Sequence, residues 1–142
     1  MKIVPDSNIV LALVLTLPYT PASINKMREW QEQNTELLVP TLWSYEVTSS
    51  LRKAIASRSI SDEIATRALQ HILSLEICEV PPTPTLHLKA LEWAAKLNQI
   101  VAYDAAYLAL AESEGAEFWT ADRRLAEAAR NLGAYWVHFI DE

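Results

Sequence analysis

Short apolar runs alternate along this chain with longer stretches whose apolar residues recur at helical spacing. The short runs predict strands and the longer ones helices packed by one side. Strands are expected over Lys2–Pro5, Leu37–Val39, Glu76–Val80, Glu117–Trp119 and Tyr135–Phe139. Helices are expected over Asp6–Thr16, Ala22–Asn34, Thr41–Ser57, Asp62–Ser74, Thr85–Leu97, Ala102–Glu114 and Asp122–Leu132. The third helix shows the pattern well, with Trp43, Val47, Leu51, Ala54 and Ile55 on one side. Its neighbours carry end signals. Asp6-Ser7-Asn8 are good capping residues, and Ser61 can cap a helix whose first turn holds Asp62 and Glu63. The two glycines, Gly115 and Gly133, each close an alanine-rich helical pattern. The prolines, including Pro81, Pro82 and Pro84, lie mostly between elements.

Strands that alternate with helices imply an α/β fold in three layers, a parallel sheet covered by helices on both faces. Ligands of such sheets bind beyond the carboxyl ends of the strands. At 142 residues the chain is expected to form one domain, residues 1–142. No apolar run is long enough to span a bilayer, and the first residues do not read as a secretory signal, so a cytoplasmic protein is expected. The single cysteine, Cys78, fits a reducing compartment and is expected to be a small buried strand residue. Apolar residues near the amino terminus, Leu15, Leu17, Tyr19 and Met27, are candidates for a partner surface or for the monomer core.

Charge narrows the chemistry. A net charge of −6 argues against an extended nucleic-acid surface, which is normally basic. It leaves room for an enzyme that holds one strand near a metal. Basic residues do cluster, as Arg52-Lys53 with Arg58 and as Arg123-Arg124 with Arg130. They are either solvated helix faces or contacts to phosphates.

Four acids stand out against this frame. Asp6 directly follows the first strand, and Asp122 follows Glu117–Trp119 by a short step, so both project from the carboxyl edge of the sheet. Each could simply cap a helix. Asp104 lies early in a helix on a face shared with Tyr107, Leu108 and Ala111, and no Lys or Arg occurs from Leu97 to Ala121. Burying it unpaired would be costly, and a cap, a raised pKa or a metal would each resolve that cost. Glu46 shares a helix face with Ser49, Ser50 and Lys53, and taken alone reads as a surface residue. Carboxylates that converge in one cleft repel each other, and either hold protons or bind a cation. Oxygen-only ligands favour Mg²⁺ or Mn²⁺, and His71, His87 and His138 show no ligand spacing that would suggest zinc. Such a site suits phosphodiester cleavage, in which the metal polarises the phosphate and activates a water.

At these residues the chain resembles the PIN domain, particularly the toxin ribonucleases of the VapC type. The matching segments are Ile3-Val4-Pro5-Asp6-Ser7-Asn8, Val39 to Val47, Tyr103 to Glu112, and Thr120-Ala121-Asp122-Arg123-Arg124-Leu125, in family order across nearly the whole chain. The resemblance places the family's acids, both as catalytic residues and as metal ligands, on Asp6, Glu46, Asp104 and Asp122. It places supporting polar residues, which would orient carboxylates or water, on Asn8 and Thr120. Pro5 departs from the usual aliphatic residue; proline can end a strand but donates no ladder hydrogen bond. The resemblance implies a parallel sheet of about five strands in the order 3-2-1-4-5. It further implies an endoribonuclease using Mg²⁺ or Mn²⁺, leaving a 5′-phosphate and a 3′-hydroxyl on single-stranded or structured RNA. A homodimer and a cognate antitoxin are implied as partners. The basic residues Arg52, Lys53, Arg123 and Arg124, placed near these acids, are expected to meet the RNA. The alternative is a non-catalytic RNA-binding or scaffold module of the same fold. A phosphoacceptor receiver would need adjacent acids after the first strand and a lysine near the last, and no lysine follows Lys96. A haloacid-dehalogenase-type phosphatase would need a second aspartate where Asn8 stands.

Overall fold

The computed structural model describes residues 1–142. In chain order the elements are β1 (Lys2–Pro5), α1 (Ser7–Leu11), α2 (Thr20–Glu32), β2 (Glu36–Pro40), α3 (Leu42–Ala56), α4 (Asp62–Ser74), β3 (Ile77–Val80), α5 (Pro84–Lys96), α6 (Tyr103–Glu114), β4 (Glu117–Thr120), α7 (Arg123–Asn131) and β5 (Val137–Phe139). The sheet is parallel throughout, in the order β3-β2-β1-β4-β5. It is the α/β architecture and strand order expected. β1 is central, which explains its unbroken apolar run: Ile3 and Val4 are fully buried. In register, Pro5 lies beside Trp119, and the Asp6 N–H continues the pairing to the Trp119 carbonyl at 2.8 Å. The ends of β1 and β4 are therefore locked side by side.

One connected core contains Trp30, Trp43, Tyr107 and Phe118. Helix α6 packs over β1, β2 and β4 as well as α5. Its alanines Ala105, Ala109 and Ala111 are buried and let the backbone approach the sheet closely. The helix ends at Gly115, in the left-handed region at φ 63°, where a side chain would be strained although space is free around it. No helix is long and apolar enough to cross a membrane.

Two expectations need correction, and one left open is decided. Helix α1 stops at Leu11 instead of running to Thr16. Beyond it the Thr20 hydroxyl accepts from the Leu17 N–H at 2.9 Å and donates to the Leu15 carbonyl at 3.0 Å, fixing a turn in place of a helix. Cys78 is exposed, not buried, because β3 is an outer strand. Of the two readings left open for the amino-terminal apolar residues, the monomer core holds for Met27, which is buried, and for Leu15 and Tyr19, which pack partly buried against it.

Candidate active site

The carboxyl edge of β1 and β4 is where loop and helix starts bring polar groups together. Asp6 caps α1, accepting from the Ser7 N–H at 2.8 Å. Its other oxygen accepts from the Thr120 hydroxyl at 2.8 Å and from the Asn8 amide at 3.3 Å. Thr120, fully buried at the end of β4, accepts in turn from the Asp122 N–H at 3.0 Å. The Asn8 carbonyl accepts from the Ala121 N–H at 3.1 Å. Asn8 and Thr120 thus tie the loop carrying Asp122 to the strand end carrying Asp6. Asp122 is exposed and caps α7 through the Leu125 N–H at 3.1 Å. The capping reading of both aspartates is therefore true, but it accounts for one oxygen of each.

The other two acids come from helices. Glu46 on α3 is half-buried and accepts from the Tyr107 hydroxyl at 2.5 Å. Asp104 is also half-buried, and its Oδ2 accepts from the Gln99 amide at 3.1 Å. Tyr107 and Gln99 escaped the sequence reading as partners. Both had a signal. Tyr107 is one turn from Asp104 on the same face, and a buried tyrosine hydroxyl needs a partner. Gln99 is a polar residue in the loop before a helix whose aspartate lacks a counterion.

Electrostatics ties the four acids together. Burial pushes Asp6 up from 3.8 to about 7; Asp104 and Glu46 push the same way, while Thr120 and the Ser7 N–H oppose. Burial also raises Glu46, and repulsion from Asp104 adds to it against the Tyr107 hydrogen bond. Burial raises Asp104, with Gln99 opposing and Asp122 adding repulsion. The hydroxyls nearby feel the same field: burial, then Asp6, raises both Tyr19 and Tyr107. Asp104 is the common neighbour, coupled to each of the other three acids.

The four acids are spaced apart and do not close on a point, since no three acidic, histidine or cysteine side chains form a ready ligand cluster. That spacing fits an ion that keeps several of its waters and takes only one or two direct carboxylates, as Mg²⁺ does. The donor set is all oxygen, and none of the four acids is in a salt bridge with a lysine or arginine, so a hard divalent cation suits its charge as well.

A pH dependence follows. A carboxyl whose folded pKa lies above its unfolded value stabilises the fold at low pH and loses that contribution as pH rises through the folded pKa. Asp6, Glu46 and Asp104 all shift upward, so the sign is the same for each. The melting temperature of chelator-treated protein is expected to fall between pH of about 4 and about 7, and added Mg²⁺ or Mn²⁺ to restore it at the upper end. A metal-free melting temperature that rose steadily over that range would contradict the coupling described above.

The basic residues separate. Lys53 lines the same depression as Glu46 and Ser7, whereas Arg52, beside it on α3, is exposed and does not. Arg123 is exposed, and its guanidinium lies 4.5 Å from the centre of the Phe139 ring. Arg124 is exposed at the start of α7.

A doubly wound parallel sheet with interacting carboxylates at its carboxyl edge defines a class of α/β proteins with an acidic site. The chain belongs to the PIN domain family, whose sequence model matches residues 3–131. It is 31% identical over 129 residues to ribonuclease VapC3 of Pyrobaculum aerophilum, covering 89% of this chain and 94% of that protein. Among solved structures it is similar to VapBC2 of Rickettsia felis bound to a DNA fragment from their promoter, with a TM-score of 0.70, 14% identity and 98% of both chains covered. It is also similar to a toxin-antitoxin complex from Klebsiella pneumoniae, with a TM-score of 0.67, 14% identity and 96% of both chains covered. At these identities the two structures speak for the fold.

Proposed function

We propose that this protein is a metal-dependent endoribonuclease and the toxin of a toxin-antitoxin pair. One observation carries the reading. Asp6, Glu46, Asp104 and Asp122 are held in mutual repulsion at the ligand-binding edge of a PIN domain. The similarity to a protein named ribonuclease VapC3 supports RNA as the substrate, and the similarity to a toxin-antitoxin complex supports an antitoxin partner. A scaffold of the same fold would bear the cost of burying Asp6 and of half-burying Glu46 and Asp104 and gain nothing from it.

In this reading the four acids hold Mg²⁺ or Mn²⁺, which when bound polarises the phosphate and supplies an activated water. The chain's own groups do the positioning. Thr120, Asn8 and the Ser7 N–H fix Asp6, Tyr107 fixes Glu46, and Gln99 fixes Asp104. Such second-layer contacts hold carboxylates in one orientation. Lys53, and at longer range Arg52, Arg123 and Arg124, neutralise phosphates of the strand. The test is cleavage of an unstructured RNA with Mg²⁺, with Mn²⁺ and after chelation. Cleavage that survives complete chelation, or its absence with every divalent ion, sinks the reading.

Pairing of two copies has a surface available away from the amino-terminal apolar residues. Leu88, Leu91, Ile100 and Val101 are exposed on α5 and the turn after it. The homodimer is expected in light scattering, and a monomer at high concentration would remove it.

A further inference from the structure

The depression beside Glu46 contains two tyrosines for which the acidic site has no use. Tyr45 is 77% exposed and Tyr103 is 61% exposed. Both line it together with Glu46, Ser49, Ser50 and Lys53. Each stands one residue before an acid of the site, Tyr45 before Glu46 and Tyr103 before Asp104. Adjacent helical residues point about 100° apart, so each ring flanks its carboxylate and does not cover it. The site's third tyrosine behaves differently: Tyr107 is buried and its hydroxyl is committed to Glu46. Neither Tyr45 nor Tyr103 stacks on another aromatic ring of the chain.

Exposed rings leave apolar faces in water, and a flat partner laid against them removes that area from solvent. The surroundings say what kind of partner. Lys53 offers one cation suited to a phosphate, and Ser49 and Ser50 offer hydroxyls suited to ribose or phosphate oxygens. A protein partner would prefer the neighbouring apolar depression, which Tyr103 shares with Leu88 and Leu91 and which holds no lysine or arginine. The polar depression instead matches one flexible strand with bases on one side and phosphates on the other.

Resting on the ribonuclease reading, we propose that Tyr45 and Tyr103 stack unpaired nucleobases in the depression beside Glu46 and so admit RNA to the site as a single strand. A duplex keeps its base faces covered and has nothing to lay on the rings. The two side chains are positioning residues, acting on the strand and not on the reacting phosphate.

The experiment uses the full chain, treated with chelator so that nothing is cut. It measures fluorescence anisotropy of a labelled unstructured oligoribonucleotide and of an abasic strand of the same length. Tyr45→Ala and Tyr103→Ala should each weaken binding by about tenfold, while Tyr45→Phe and Tyr103→Phe stay within about twofold. On the abasic strand all variants should bind as weakly as each other. Both rings are exposed, so melting temperatures should hardly move, which separates lost stacking from lost folding. Alanine variants that bind like wild type overturn the proposal, as do phenylalanine variants that fail like alanine. So does loss of self-association in Tyr103→Ala with RNA binding intact, which would give the ring to a protein interface. Failure of the parent reading looks different: wild type would show these binding differences and still leave RNA uncut when Mg²⁺ is restored.

Discussion

Replacing Asp104 with asparagine is expected to lower RNA cleavage by at least about a hundredfold, since metal stabilisation of a transition state contributes several kcal/mol. Asp104 is the acid that the other three share, so its loss removes charge from every approach of a cation. The same change should leave RNA binding intact or improve it, because a phosphate-repelling charge disappears. It should also stabilise the metal-free fold, relieving Asp6 and Glu46, and remove most of the metal-induced gain in melting temperature. Three readings on one variant, namely cleavage, binding and melting with and without Mg²⁺, check this together. A mutant that gained as much from metal as wild type would move the ion elsewhere.

Thr120→Val is expected to cost stability and cleavage together. The shapes nearly match, but valine can neither donate to Asp6 nor accept from the Asp122 N–H. The site is fully buried at Thr120. Groups stranded there cost about 1–3 kcal/mol, to be read as a lower urea midpoint with unchanged slope. Thr120→Ser keeps the hydroxyl and should recover most of both properties. If valine were as stable and active as threonine, the link between the two strand ends would be irrelevant.

Much of the fold was legible because each layer speaks for itself. Apolar runs such as Ile3-Val4 mark strands covered on both faces, and Gly115 marks the end of an alanine-rich helix. What was missed is what sequence-distant groups decide. Helix α1 stops early because the Thr20 side chain captures the backbone at Leu15 and Leu17, whereas residues 12 to 15 remain apolar enough to suggest more helix. Cys78 follows its usual burial by residue type only where a strand is interior, and β3 is not. The four acids could be noticed individually, and chain order suggested that Asp6 and Asp122 share an edge. Glu46 looked like a surface residue because its partner Tyr107 lies 61 residues away. Neither that contact nor the one between Gln99 and Asp104 leaves a trace in local periodicity.

The order of the strands also sets when the site can exist. β1 is the first strand of the sheet to be made, yet its neighbour β4 is the fourth, and the bond from Thr120 to Asp6 spans 114 residues. During synthesis, growing from the amino terminus, Asp6 must wait with one side of its strand unpaired until Thr120 has left the ribosome. A chain halted between Asp104 and Thr120 carries Asp6, Glu46 and Asp104 but has no edge on which to gather them. Assembly of the acidic centre is thus tied to synthesis of the chain through β4, and fragments released before it lack the edge that brings the acids together.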